Sequence, residues 1–228
     1  MSSKIKFNDK NLSNIHLDSY ELKNSIIKTA EIPENTDLIK GIYEGGIKIW
    51  ECSLDLLNFL STLYENSNLN NINSLELGCG HGLPCIYLLL KGSNVTFQDF
   101  NKEVLDLITK GYINQLKEKY NLNLLNKSSF EYGDWGKFQS EKNYKIIISS
   151  DTLYNIDNYE KIYNILKNYL DKEGIAFFAT KKYYFGVGGS SSEFIYFVKE
   201  KGEFEVNKLK EINDGLSNIR VILEIKWK

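Results

Sequence analysis

Leu75-Glu76-Leu77-Gly78-Cys79-Gly80-His81-Gly82 is followed by an apolar run from Leu83 to Lys91 and then by Asn94-Val95-Thr96-Phe97-Gln98-Asp99. The short apolar run before Gly78 predicts a buried strand, the longer run a helix, and the next short run a second strand. Three glycines in the pattern G-x-G-x-G let the backbone turn sharply and let a ligand approach it closely. The helix that starts at Leu83 would aim its positive N-terminus at that ligand. Asp99 closes the second strand about 20 residues after the first glycine, where a carboxylate takes the two ribose hydroxyls of an adenosine.

The spacing narrows the choice of ligand. The dinucleotide fingerprint is G-x-G-x-x-G, and here Leu83 stands at its last position. G-x-G-x-G preceded by an acid, Glu76, instead resembles the S-adenosylmethionine loop of the seven-stranded methyltransferases. A tight strand–helix connection without a ligand is the competing reading. The flanking strand, the helix and Asp99 favour a nucleoside cofactor.

The totals bound the rest. The 228 residues are 42% hydrophobic and 25% charged, which suits one domain or one domain with a short extension. The net charge is −2, and no basic patch points to sequence-specific nucleic-acid binding. No apolar run approaches the ~18 residues of a membrane span, and Met1 to Lys10 is too polar for a signal peptide. Cys52, Cys79 and Cys85 are odd in number and lack paired ligand spacing, which fits a reduced cytoplasmic or nuclear setting. Two histidines, His16 and His81, cannot assemble a histidine-based metal cluster, so no metal is expected.

Residues 1 to 36 are polar and irregular, with weak alternation in Ile15 to Tyr20 and Ser25 to Ile32. They predict a partly flexible N-terminal extension, with a hairpin over the sheet or cofactor, ahead of a domain spanning 37–228. Tyr43-Glu44-Gly45-Gly46 marks a turn. From Trp50, Leu54, Leu57, Leu60 and Leu63 recur at helical spacing, which sets Trp50 and Glu51 at a helix start. Trp50 is either a core anchor or a cofactor wall whose ring packs a sulfonium.

Val104 to Tyr120 reads as one amphipathic helix. Ser129 to Tyr132 is a short strand followed by Gly133-Asp134-Trp135, where Asp134 or Trp135 would meet an adenine base. Lys145 to Ser150 is the clearest central strand. Ligands of open α/β sheets bind beyond the carboxyl ends of the strands, so Asp151 and Tyr154 stand where chemistry is expected. The alternative for Asp151 is the N-cap of the helix from Tyr159 to Leu170. After a fifth strand, Gly174 to Thr180, the loop Lys181-Lys182-Tyr183-Tyr184-Phe185-Gly186-Val187-Gly188-Gly189 has the composition of a substrate-contact loop. A helix from Ser192 to Lys201 and two strands, Phe204 to Leu209 and Ile219 to Trp227, end the chain.

From about Asp37 to Lys226 the chain resembles the eukaryotic histidine protein N-methyltransferases, part of a larger group with an acid-x-x-Tyr motif after strand four. The carriers are Tyr43-Glu44-Gly45-Gly46 with Lys48-Ile49-Trp50-Glu51-Cys52, Leu77 to Leu83, Phe97 to Asn101 and Gly133-Asp134-Trp135. Ser150-Asp151-Thr152-Leu153-Tyr154-Asn155 and Tyr184 to Gly189 complete the set. The resemblance implies an α/β, Rossmann-like sheet of seven strands in order 3-2-1-4-5-7-6, with strand seven antiparallel. It implies S-adenosyl-L-methionine as cofactor, S-adenosyl-L-homocysteine as product, and one histidine of a large-subunit ribosomal protein as target. A monomer acting on a protein substrate, away from membranes, is the expected state.

The resemblance assigns the cofactor to Ile49, Trp50, Glu51, Cys52 and Ser53, to Glu76, Gly78, Cys79, Gly80 and Gly82, and to Gln98, Asp99 and Phe100. Gly133, Asp134, Trp135 and Ser150 complete that lining. Lys181, Tyr183, Tyr184, Phe185 and Gly186 are the candidate substrate contacts. Asp151 or Asn155 would accept the N–H of the nonreacting ring nitrogen, and Tyr154 would shape the pocket. His81 is expected to pack or to face solvent in the turn rather than act as a base. Two alternatives stay open: a lysine methyltransferase using the same Asp151-x-x-Tyr154 motif, and a cofactor-binding scaffold without catalysis.

Overall fold

The computed structural model describes residue 39 and residues 41–120, 124–215 and 217–228. The expected extension and hairpin before residue 37 lie outside the described residues. Helix α1 (Glu51–Leu63) leads into strand β1 (Asn73–Leu77), helix α2 (Leu83–Leu90) and strand β2 (Asn94–Asp99). A π-helical turn, Val104–Thr109, runs into helix α3 (Lys110–Tyr120), then β3 (Ser128–Tyr132) and β4 (Tyr144–Ser150). Helix α4 (Tyr159–Tyr169), β5 (Leu170–Lys181), α5 (Ser191–Lys201), β6 (Phe204–Ile212) and β7 (Arg220–Trp227) complete the order.

The seven strands form one sheet in order β3-β2-β1-β4-β5-β7-β6. The first five pair in parallel, and β7 inserts antiparallel between β5 and β6. This is the expected topology. Its central strands are covered on both faces, which explains why Ile146-Ile147-Ile148 reads as a continuous apolar run instead of an alternation. Ile146 and Ile148 join the core beneath α1, α2 and α3, while Ile147 joins the core beneath α4 and α5. In α4, Tyr159, Ile162, Tyr163, Ile165 and Leu166 share the buried stripe, each contributing about 1.5–3 kcal/mol by leaving water.

Val104 to Tyr120 is not a uniform α-helix. Its first six residues take the wider π-helical turn, a form that recurs at functional sites. Here it seats the buried Thr109 so that its hydroxyl donates to the Gly80 carbonyl at 2.7 Å, beneath the glycine turn. No helix among the described residues is long and apolar enough to cross a membrane. None of them form a cluster of His, Cys, Asp and Glu that could hold a metal ion.

Candidate active site

The glycine turn sits at the carboxyl end of β1, and its shape comes from glycines in left-handed backbone. Gly80 has φ 51° and lies so close to the 41–50 segment that a Cβ would come 3.1 Å from the Gly46 carbonyl oxygen. The amides of the turn are directed inward. Gly78 N donates to Gln98 Oε1 (3.2 Å), Cys79 N to Gln98 O (2.8 Å), Gly80 N to Asp99 Oδ2 (2.8 Å) and Gly82 N to Cys79 O (2.7 Å). At the start of α2, Cys85 N donates to Glu76 Oε2 at 3.2 Å. Glu76, fully buried under the turn, thus meets one amide of the helix N-terminus.

Asp99, at the end of β2, faces the cavity above the turn. Asn101 N and Gly80 N each donate to one of its carboxylate oxygens. Burial pushes its pKa up to about 6, while the amides of Asn101, Gly80 and Phe100 oppose that rise. Gln98 stands behind the wall as a bracket. Trp135 Nε1 donates to its Oε1 at 2.5 Å, and its Nε2 donates to Gly133 O at 2.8 Å. Gln98 thereby fixes the Trp135 ring in the cavity wall.

Residues 41–50 form a strap over the turn. His81 pins it: Nε2 meets Ile47 O at 2.6 Å and Nδ1 meets the Tyr112 hydroxyl at 2.7 Å. Burial holds His81 down to a pKa of about 4, so the ring is neutral. A neutral ring bonded to a carbonyl must carry its proton on Nε2 and accept from Tyr112 on Nδ1. That is the packing role expected for it. Across the strap, Glu44 N donates to Asn101 Oδ1 (3.1 Å), Gly41 N to Glu44 Oε1 (2.7 Å), and the Tyr154 hydroxyl to Glu44 Oε2.

Asp151 follows β4 with φ 55°, a left-handed backbone that a non-glycine residue holds only when its surroundings enforce it. They do so through its carboxylate. The Tyr184 hydroxyl donates to Oδ1 at 2.8 Å and Cys52 N, in the first turn of α1, donates to Oδ2 at 3.2 Å. Burial lifts the Asp151 pKa, and Lys181 and the Tyr184 hydroxyl pull part of it back. Asp151 is therefore not the cap of the following helix. The turn at Ile156–Asn158 that precedes α4 is capped by Asn155, whose side chain accepts from Asp157 N at 3.0 Å.

Two neighbouring cavities open at the carboxyl ends of β1 and β4. The larger when the open space at its mouth is counted, at about 990 Å³ against about 790 Å³, is lined by Ile49, Trp50, Ser53, Gly78, Cys79, Gly80, Asp99 and Phe100, by Gly133, Asp134, Trp135 and Ser150, and by Asp151, Tyr154 and Asn155. The smaller is lined by Lys181, Tyr184, Phe185, Val187 and Asn218. Glu44, Trp50, Asp151 and Tyr154 belong to both.

Most of the candidate residues are thus brought together, but five of the cofactor set are not. Glu76, Gly82 and Gln98 support the turn from behind. Cys52 is buried and contributes its amide to Asp151, and Glu51 pairs with Lys181 at 3.2 Å. Among the substrate candidates, Tyr183 and Gly186 do not line the smaller cavity. Trp50 lines both cavities, yet the cations near its ring are Lys48 (4.4 Å from the centroid) and Lys181 (5.1 Å). Glu44, Thr152, Lys161 and Asn218 line the cavities without having been singled out. Glu44 alone had a signal, its place beside the Gly45-Gly46 turn.

The chain is similar to known methyltransferases. A family model described as lysine methyltransferase matches residues 34–201. A histidine protein methyltransferase 1 homolog of Dictyostelium discoideum is 44% identical over 199 residues, covering 86% of this chain and 62% of the relative. A homolog of the same name from Bos taurus is 34% identical, covering 90% of this chain and 65% of the relative. The chain thus spans less than two thirds of the length of either relative. The glycopeptide N-methyltransferase MtfA, solved in complex with (S)-adenosyl-L-methionine, superposes with a TM-score of 0.58 over 77% of this chain and 87% of its own. At 12% identity that likeness concerns the fold alone. The matched family region contains the glycine turn, Asp99 and the Asp151-x-x-Tyr154 segment, and the chain belongs to this methyltransferase family.

Proposed function

We propose that the protein transfers a methyl group from S-adenosyl-L-methionine to a ring nitrogen of a protein histidine, with a large-subunit ribosomal protein as the substrate. The observation that carries a two-substrate transfer is the shared wall. A cleft above the glycine turn and a second, aromatic cavity meet at Glu44, Trp50, Asp151 and Tyr154. The larger cavity fits an adenosine by its donor set: the Asp99 carboxylate for the ribose hydroxyls, and Phe100 and Trp135 as aromatic walls for the base. Bound there, the cofactor supplies an electrophilic methyl carbon on a sulfonium. The protein supplies alignment, an effect that converts an encounter into an oriented, near-unimolecular step.

The histidine acceptor is supported by the names of the similar proteins and by the smaller cavity. Tyr154, Tyr184, Phe185 and Trp50 give it walls that suit a flat ring. Lys181 lines it as well, but it is paired with Glu51, and the Glu44 and Asp151 carboxylates share the same lining, so charge alone does not separate the two acceptors. A histidine, with a pKa of ~6.5, is mostly neutral at pH 7, whereas a lysine at ~10.4 must first lose a proton. The lysine reading is favoured by the description of the family model and by the carboxylates and aromatic rings of the same cavity.

Radiolabelled S-adenosylmethionine, incubated with the protein and a ribosomal protein extract, tests the proposal by acid hydrolysis of the product. The expected label runs with a methylhistidine. Label only in methyllysines selects the second reading, and no transfer into any protein pool leaves a cofactor-binding scaffold.

A further inference from the structure

We propose that Glu44 is the carboxylate that receives the N–H of the acceptor imidazole, and that Tyr154 and Gly41 hold it in place for that task. The inference rests on the histidine-transfer reading. The sequence offered Asp151 and Asn155 for this role, and the structure commits both elsewhere. Asp151 is only 8% exposed, and its two oxygens already accept from Tyr184 and Cys52. Asn155 caps a turn through its side-chain oxygen and does not line the smaller cavity.

Glu44 carries one bond on each carboxylate oxygen as Asp151 does, and what sets it apart is its exposure. It is half-buried and belongs to the wall shared by both cavities, where the reacting nitrogen and the methyl carbon must meet. Its carboxylate is oriented without being exhausted. Gly41 N holds Oε1 at 2.7 Å and the Tyr154 hydroxyl holds Oε2. Each carboxylate oxygen has two lone-pair sites, so one on each remains for a substrate N–H. The main chain is fixed as well, by the Glu44 amide on Asn101 Oδ1.

The chemistry calls for a carboxylate at this point. The lone pair of the reacting nitrogen forms the new N–C bond, and the electron pair of the breaking C–S bond leaves with sulfur, which becomes a neutral thioether. The ring becomes an imidazolium that still carries the proton on its other nitrogen. Glu44 bonded to that N–H selects the tautomer whose free lone pair faces the donor, and its charge stabilises the cation as it forms. The proton then passes through Glu44 to solvent, leaving neutral methylimidazole.

The test uses the full chain, tritiated S-adenosylmethionine and ribosomal protein extract, with label counted in methylhistidine and S-adenosylhomocysteine affinity measured by calorimetry. Glu44→Gln should lower the single-turnover rate about 100-fold, the scale of losing one preorganised electrostatic partner, with S-adenosylhomocysteine affinity unchanged. A rate within about threefold of wild type overturns the assignment, as does a parallel loss of S-adenosylhomocysteine binding, which would place Glu44 in the cofactor site. If Glu44→Gln does not fold, Glu44→Asp, which keeps the charge but draws it back by one methylene, serves instead. Slow transfer with intact S-adenosylhomocysteine binding is expected of it, and full rate overturns the proposal. Absence of methylhistidine with the wild-type protein is a different result: it removes the histidine reading itself.

Discussion

The Tyr184 hydroxyl donates to Asp151 Oδ1 at 2.8 Å, joining the loop after β5 to the residue that ends β4. The same hydroxyl lies 3.1 Å from Thr180 Oγ1 and accepts from Lys181 N at 3.2 Å. One phenol thus organises a buried acid in a strained backbone and the base of a loop. Tyr184→Phe keeps the ring and removes these bonds. It leaves one oxygen of a buried carboxylate unpaired, so the variant should lose about 1–3 kcal/mol of stability. Urea denaturation checks this; a midpoint equal to wild type would show that solvent replaces the hydroxyl without cost.

Much of this arrangement was legible in the sequence. The glycine turn, the apolar runs around it and Asp99 are contiguous signals, each set by backbone conformation or burial, while the strand order followed from the family resemblance. The contacts that finish the site are not contiguous. Tyr154 and Glu44 are 110 positions apart, and Asp151 and Cys52 are 99 apart, so no local period registers them. Val104 to Thr109 shows why helix type was missed: a few residues of i→i+5 winding leave the same apolar spacing as an α-helix. The inward direction of the turn amides depends on Gln98 and Glu76, polar residues whose burial only the packed sheet reveals.

Asp99 should make cofactor affinity depend on pH. Its pKa is pushed up to about 6 by burial, and a ribose hydroxyl donates well only to the ionised form. Binding of S-adenosylhomocysteine should therefore strengthen as pH rises through about 6 and level off near neutrality. Asp99→Asn should remove that dependence and weaken binding by about 1–3 kcal/mol. Calorimetric titrations between pH 5 and pH 8 decide the matter; a flat profile for the wild type would detach Asp99 from the ribose.

His81 and Asp99 should act on stability in opposite directions as pH changes. The folded pKa of His81, about 4, lies below the ordinary histidine value of 6.5. Between these values the unfolded chain binds the extra proton, so His81 stabilisation is lost as pH falls from 6.5 to 4. The folded pKa of Asp99, about 6, lies above the ordinary aspartate value of 3.8, so its share is lost as pH rises over a similar window. In His81→Gln the His81 share is gone, and stability should fall between pH 4 and pH 6 by up to about 3 kcal/mol relative to wild type's own trend. Parallel thermal-melt profiles of the two proteins across that range would remove His81 from the account.

Gly189→Ala should separate substrate handling from cofactor binding. The 183–190 loop returns to the Asp151-x-x-Tyr154 segment through backbone bonds: Gly189 N to Tyr154 O at 2.9 Å, and Tyr184 N to Gly189 O at 3.0 Å. A Cβ on Gly189 would lie 2.1 Å from Leu153 O and 2.5 Å from the Tyr154 carbonyl carbon. Both are backbone atoms, and Leu153 is fully buried, so the segment cannot yield as a flexible side chain would. The loop must therefore lift, carrying Tyr184 and Phe185 away from the smaller cavity, at a cost of about 1–3 kcal/mol for overpacking. The glycine turn and Asp99 lie outside this contact. Gly189→Ala should consequently retain S-adenosylhomocysteine affinity while its transfer rate drops at least 10-fold, about the effect of losing 1.4 kcal/mol of transition-state alignment. Crystallography or amide exchange of the loop, measured beside the rate, gives the deciding comparison: an undisturbed loop with a normal rate would refute this account of how the smaller cavity is closed.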